Sequence, residues 1–487
     1  MDITLKNRNL ALMITRNKVR TFSLSIVVFL TSLNSFAQDS YAIKNVSVIT
    51  MTKEEVLPDQ TVVVEKGIIK SISPSAKTKL SRDVKVIDGT GKFLIPGLFD
   101  MHAHFFYEQG EHLNTNETEL KLMLANGITT ARIMAGHPSF LEAKANVTNG
   151  KWIGPELSVA SPQLVGKWPF PTEFKNYEIV ASEASANEAV ATFKQQGYDA
   201  IKITFMMAKP IYKFVVRAAL RENIKVVGHV GPMVMLPAAL EAKQQIEHMD
   251  MFIETLLPDT SYNHGQSVSD YNIYSKAAWE TVPYLMESKI SVLAKSVKDA
   301  GIYVTPTNYF FISNAGIPLT DEEIKNKPDY NYIPSNLRQE KWKYRESYIK
   351  KMAPLASREK YVRIRKQMVN DLWKAGVPLM AGSDAPEFFG VAGFGLHDEL
   401  KSMVDAGLMP YAALQTATVN PATFLEINNR TGTITVGNEA DLVLLDKNPL
   451  EDINNTRTIA GVSSGNSWLN RDDIQKLLKE TKNVLGK

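Results

Sequence analysis

The chain has 487 residues, 44% of them hydrophobic and 22% charged, with a formal net charge of +3. That is the composition of a globular protein with room for one large domain and a smaller one, and it argues against disorder. There is no cysteine, which excludes disulfides, thiolate zinc sites and a lipid-modified N-terminal cysteine, so any metal must be held by nitrogen and oxygen.

Residues 1–37 read as a signal peptide. Lys6, Arg8, Arg16, Lys18 and Arg20 form a basic segment, and the apolar run 22–33 is short for a membrane span. Ser35-Phe36-Ala37 then offers a small-x-small cleavage site before Gln38. The alternative is an anchor that is never cut. Cleavage predicts a periplasmic or secreted protein with no stable membrane span. It also removes five positive charges and one negative, so the remainder carries a net charge of −1. The basic balance therefore belongs to the leader, and no nucleic-acid partner is expected.

From 41 to 74 the pattern is one of short strands. Residues 61–65 and 68–72 flank Lys66-Gly67 as a hairpin, and 84–88 reads as another strand. The run Phe93-Leu94-Ile95-Pro96-Gly97-Leu98-Phe99-Asp100-Met101-His102-Ala103-His104 follows. It predicts a buried strand ending in two histidines that share a face, because side chains two apart on a strand point the same way. They could ligate one metal ion, although most histidines on apolar strands simply sit hydrogen-bonded in a core.

Beyond His104, apolar runs at 129–134, 157–160, 200–205, 225–230, 245–249, 302–306 and 377–381 alternate with helical stretches such as 183–196, 211–222 and 237–242. Gly197, Asn223, Gly301 and Gly376 fall where helices should end. With the His102 strand there are eight βα units, which predicts an α/β fold of the (β/α)8 TIM-barrel type. An open doubly wound sheet is the alternative, but no glycine-rich phosphate loop supports it.

Two connections, 161–180 and 307–357, are long and rich in aromatic residues, among them Trp168 and Tyr309. Loops of this length on the C-terminal rim are expected to shape a substrate pocket, or else to cover the barrel or make an oligomer contact. Strand signals return at 432–445 and 459–462, and 472–485 predicts a terminal helix. The expected division is a signal peptide (1–37), the first part of a small β-sandwich (38–95), a barrel (96–428), and the second part of the sandwich with a C-terminal helix (429–487).

The remaining ionisable residues on these strands complete a pattern. Lys202 lies inside Ala200-Ile201-Lys202-Ile203, His229 ends Gly228-His229, His248 ends Ile246-Glu247-His248, and Asp384 ends Gly382-Ser383-Asp384. Burying six such groups without partners would cost several kcal/mol each, and a metal site removes that cost. Together with Ala385-Pro386, Leu396-His397-Asp398-Glu399-Leu400, Thr416-Ala417-Thr418-Val419-Asn420-Pro421-Ala422 and Ala440-Asp441-Leu442-Val443, these motifs make the chain resemble the amidohydrolase superfamily, in particular its imidazolonepropionase-like and prolidase-like branch. The resemblance runs from about Lys44 to Leu478.

The resemblance implies a (β/α)8 barrel with a two-ended β-sandwich and a binuclear metal centre. His102, His104 and Asp384 would hold one ion, and His229 and His248 the other. Lys202, carboxylated by CO2, would bridge them. Two divalent metal ions are implied, zinc first for such ligands, with manganese or cobalt as alternatives. A metal-bridging hydroxide would attack the scissile carbonyl, with Asp384 as the catalytic proton carrier.

The implied activity is hydrolysis of an amide-type C–N bond in a small molecule, a dipeptide or N-acyl amino acid first. Rival readings are a mononuclear deaminase, a lactone or phosphoester hydrolase, and a non-catalytic binding protein. A homo-oligomer is left open. His397, near Glu399 on a probable helix, is expected to be structural, and His137 a rim residue. His112 and His264 carry no spacing signal. Arg132-Ile133-Met134 stands where many relatives would have an Arg-Asp pair, which leaves substrate contacts open at that corner.

Overall fold

The structure is a computed structural model that describes residues 40–107, 113–166, 176–258, 275–465 and 467–486. The segment 1–37, His112, Trp168 and His264 lie outside the described residues. Both chain ends build one sheet. Strand β1 (Ser40–Val48) pairs antiparallel with β2 (Leu57–Glu65), which turns into β3 (Ile68–Pro74). Lys66 and Gly67 both take positive φ, 50° and 75°, the twist a two-residue hairpin turn needs. β4 (Lys85–Asp88) and β5 (Phe93–Pro96) lie parallel to β1.

On the other side of β5 the chain's far end joins in. β15 (Leu442–Leu445) runs antiparallel to β5, followed by β16 (Ile459–Ser464) and β17 (Ser467–Asn470), the numbers β6 to β14 being taken by the strands between. Ile43, Val46, Val62, Leu94, Leu442 and Leu444 form a common core there. Each fully buried aliphatic side chain of this kind contributes about 1.5–3 kcal/mol. The sheet therefore ties residues near 40 to residues near 470 before the site is built.

The central strands are parallel and buried on both faces, as continuous apolar runs require. β6 (Leu98–Ala103), β7 (Ile128–Ile133) and β8 (Glu156–Val159) form one sheet. β9 (Gln163–Val165), β10 (Tyr177–Ile179), β11 (Ala200–Ile203), β12 (Lys225–Gly228), β13 (Gln245–Glu247) and β14 (Val304–Thr305) form another. Isolated parallel bridges join Ala160 to Ala200, Val304 to Leu379 and Ala103 to Ala385. Each end of one sheet thus meets the other sheet or the segment 379–385, and that segment leads back to β6. The run 377–381 was expected as a full strand. It makes only the bridge at Leu379, with Met380 N–H donating to Val304 O and Met101 N–H to Ala381 O.

Helices fall between these strands where the sequence places them. Glu183–Gln196 opens with a Ser182–Ser185 capping box and closes at Gly197, whose φ of 94° stops the helix. Lys209–Arg221 precedes β12, and Ile290–Ala300 ends at Gly301. The segment 307–357, expected as an aromatic loop, is largely helical: Asp321–Asn326 starts with a Thr320–Glu323 capping box, and Ser335–Ile349 follows. Among the described residues no helix is long and apolar enough to cross a membrane.

Candidate metal centre

The strand alternation does what the His-x-His spacing requires. His102 Nε2 and His104 Nε2 lie 3.2 Å apart. Asp384 brings Oδ1 to 3.3 Å from His102 Nε2 and 3.6 Å from His104 Nε2. One ligand atom from each of the three lies within 4.8 Å of the other two. His229 and His248 stack beside them, ring centres 4.9 Å apart, and His248 stands 4.6 Å from His102. Lys202, His102, His104, His229, His248 and Asp384 all line one cavity of about 680 Å³.

The supporting contacts fix which nitrogens face that cavity. His102 Nδ1 lies 2.6 Å from Glu247 Oε2, His229 Nδ1 lies 2.9 Å from Asp250 Oδ2, and His248 Nδ1 lies 2.7 Å from Thr307 Oγ1. The Thr307 hydroxyl donates to Pro306 O, so it accepts from His248. With Nδ1–H given away, each ring keeps a lone pair on Nε2, the tautomer a metal ligand needs. His248 Nδ1 also comes within 3.8 Å of Asp384 Oδ2. Burial, with Lys202 and other cations nearby, holds His102 well below the usual histidine range, so it is neutral. Imidazole nitrogens and a carboxylate converging in this way are a donor set that fits a divalent cation.

Lys202 is 1% exposed and its ammonium makes no hydrogen bond among the described residues. Burial pushes it down, against the pull of Glu247, Asp384 and Asp250. Its environment depends on Gly228, whose φ is 115°. A Cβ there would stand 2.5 Å from Ile203 O and 2.9 Å from Lys202 Cδ. Gly382 plays the same part on the opposite side, since its Cβ would stand 2.6 Å from His102 Cβ. Backbone strain gathers here as well: His248, Thr307 and Asp384 take φ of 61°, 42° and 55°, at about 1–3 kcal/mol each. Asp384 is held by its own N–H donating to His102 O. Asp100 accepts from the N–H groups of His102 and Ser383 and locks the two segments together, and burial pushes its carboxyl up to about 6.

Arg132 answers the question its missing aspartate raised. It is fully buried and points inward. Nε donates to Met101 O at 2.6 Å, one NH2 group to Gln245 Oε1 at 2.8 Å, and the other to Glu247 Oε1 at 2.7 Å. Glu247 thus bridges Arg132 and His102. Sequence reasoning missed Glu247, Asp250 and Thr307 as supports. The signal available was their position, since each stands one or two residues from a candidate ligand or ends an apolar strand.

The other expected residues fall as follows. Tyr309 does not line the cavity of the candidate metal centre. It faces a separate one of about 750 Å³ beside Lys327 and Asp398, and the Lys327 ammonium sits 5.6 Å from its ring centre. Its helical neighbour Phe310 lines the site instead, because successive helical side chains diverge by about 100°. His397 is buried, Nδ1 at 2.9 Å from Thr456 Oγ1 and Nε2 at 3.1 Å from Asn126 O, and burial pushes it down to about 3. His137 caps the helix Pro138–Thr148 by accepting from Ser139 N–H.

Comparison with known proteins agrees with this geometry. Residues 93–467 match the model of the Amidohydrolase family. The chain belongs to the amidohydrolase family. An imidazolonepropionase of Idiomarina loihiensis is 25% identical over 176 residues, 28% of this chain and 43% of that protein. A dihydroorotase of Carboxydothermus hydrogenoformans is 40% identical over 92 residues, covering 19% of this chain and 20% of that protein. The chain thus matches less than half the length of these relatives. The crystal structure of a putative prolidase from Bifidobacterium longum matches with a TM-score of 0.62 at 22% identity, over 91% of this chain and 99% of that one. Its likeness speaks for the fold, a mixed α/β architecture with a barrel and a β-sandwich. Membership implies a divalent metal centre, which the donor set above fits.

Proposed function

We propose that this chain is an exported hydrolase that cleaves an amide-type C–N bond, a dipeptide or N-acyl amino acid first, at a two-metal centre on a (β/α)8 barrel. The observation that carries the reading is the convergence of six separately placed side chains on one cavity, with three of the histidines fixed through Nδ1. In this reading residues 96–428 are the catalytic barrel, 38–95 and 429–487 the β-sandwich, and 1–37 a cleaved signal peptide that delivers the protein to the periplasm or beyond. His102, His104 and Asp384 would hold one ion, His229 and His248 the other, and Lys202, carboxylated, would join them. Zinc is the first expectation.

When bound, two such ions lower the pKa of water and polarise a carbonyl. The protein's own groups do the rest. Asp384, its Oδ1 turned to His102 and His104, would accept a proton from the attacking water and return it to the leaving amine. Phe205, Phe310 and Phe388 line the approach. They would exclude water and hold the apolar part of a substrate in place.

A one-ion deaminase or hydrolase is the second reading. It is favoured by one observation: among the described residues, the only group of at least three acidic or histidine ligands drawn this tightly is His102, His104 and Asp384. Metal analysis of purified protein with a screen of amides, lactones and phosphoesters tests both readings. Two equivalents of metal with amide turnover support the first, and one equivalent with ammonia release supports the second.

A further inference from the structure

The cavity around the candidate metal centre has an aromatic wall, Phe205, Phe310, Tyr344 and Phe388, beside its histidines and the carboxylates Asp384, Glu340 and Glu387. Two cationic side chains other than histidine reach it among the described residues, Lys202 and Lys341. Lys202 is committed to the metal site on the reading above, whereas Lys341 is not. It stands on the helix Ser335–Ile349, in the long segment after β14, and Tyr344, three residues on, lies on the same helical face. The Tyr344 and Phe388 rings meet edge-on with centres 5.6 Å apart.

A lysine at a cavity rim ordinarily snorkels its ammonium into bulk water. Lys341 instead turns Nζ back to donate to Pro386 O at 2.6 Å. That carbonyl belongs to the loop two residues beyond Asp384, so the two backbone positions are at most about 7 Å apart. One of the three ammonium donors is used, and by a neutral acceptor. No carboxylate among the described residues pairs with it within 4 Å. Burial pushes the Lys341 ammonium down, and Glu387 and Glu340, which also line the cavity, partly offset it. The cavity thus presents a cationic side chain within one or two residues' reach of Asp384, with no carboxylate in direct contact and an aromatic wall beside it, while Glu340 and Glu387 line the cavity farther off.

We propose that Lys341 is the specificity-determining residue that binds a substrate carboxylate. The preferred substrate would be an amide of an apolar or aromatic amino acid with its carboxylate free, one residue from the bond cleaved. The proposal rests on the amide-hydrolase reading. A charge-assisted bond explains why the lysine is held inward on a helix rather than left on a loop, and the aromatic wall supplies the surface for the side chain.

The test compares N-acetyl amino acids and dipeptides ending in phenylalanine or leucine with their C-terminal N-methylamides, in the metal-loaded full-length enzyme. The variants are Lys341→Met and Lys341→Arg. Lys341→Met is expected to lower kcat/KM for the free acids roughly 10- to 100-fold, through KM, while changing the methylamides by less than about threefold. Lys341→Arg should keep most of the activity, and metal content should be unchanged in both. Equal loss on both members of a pair, or no loss, overturns the proposal. Wild-type enzyme that cleaves amides without preferring free acids overturns it while leaving the hydrolase reading intact. Wild-type enzyme that cleaves no amide removes the hydrolase reading and this proposal with it.

Discussion

Glu247 offers the sharpest separation between packing and site chemistry. Its two oxygens serve different partners: Oε1 accepts from Arg132 at 2.7 Å and Oε2 lies 2.6 Å from His102 Nδ1. Both Glu247 and Arg132 are buried, at 0% and 1% exposure. Removing one member of a buried ion pair costs about 3–5 kcal/mol, because the other charge stays in a low dielectric. Glu247→Gln keeps the shape and one acceptor for Arg132, so the cost should fall near about 3 kcal/mol. That is a large share of the roughly 5–15 kcal/mol that holds a domain together.

The same change releases the His102 tautomer, which should weaken metal binding by about 10- to 100-fold. Pairing it with Arg132→Met separates the two effects. The neutral pair should recover much of the stability, since a well-packed apolar replacement of a buried ion pair is often close to neutral, but metal affinity should stay low. Urea unfolding and chelator competition read the two quantities. Unchanged metal affinity in Glu247→Gln, or full recovery of it in the double variant, would refute the argument.

Three further outcomes are expected. His397, held near 3 when folded against about 6.5 when unfolded, binds fewer protons folded than unfolded between those values. Its contribution is therefore intact above pH 6.5 and is lost as pH falls, at about 1.4 kcal/mol per pH unit. His397→Gln should reduce that slope by an amount that grows from about a quarter of a proton at pH 7 to about one proton at pH 5 in unfolding curves, and an unchanged slope would show that another group titrates. Phe310→Ala should raise KM several-fold with metal content intact, while Tyr309→Ala should leave KM unchanged, because of the two only Phe310 lines the cavity of the candidate metal centre; the reverse ranking in steady-state kinetics would move the substrate to the other cavity. The mature protein from its native host should have lost residues 1–37 by mass, and an intact N-terminus in a soluble cytoplasmic fraction would contradict export.

Local rules made part of this molecule legible in advance. Period-two alternation put His102 and His104 on one face, and glycines at 197 and 301 stop helices with left-handed φ of 94° and 67°. What a single sequence could not show was partnership over distance. Glu247 reads as an ordinary strand residue until Arg132, 115 positions earlier, is seen to pair with it. The sequence likewise suggests strands at both ends, but not that β15 would lie against β5 in one sheet. The aromatic segment 307–357 reads as a loop because its helices are polar, the longest, Ser335–Ile349, included. The Thr320–Glu323 capping box was nonetheless visible in the residues.

The account's central claim is a two-ion centre bridged through Lys202. Its most direct test is metal stoichiometry in wild-type protein and Lys202→Ala, prepared with CO2 available, with intact mass read alongside. The account predicts two ions and an added carboxyl on Lys202 in the wild type, and one ion or none in a folded variant whose hydrolysis has fallen by orders of magnitude. A Lys202→Ala protein that keeps two ions and most of its activity would contradict it.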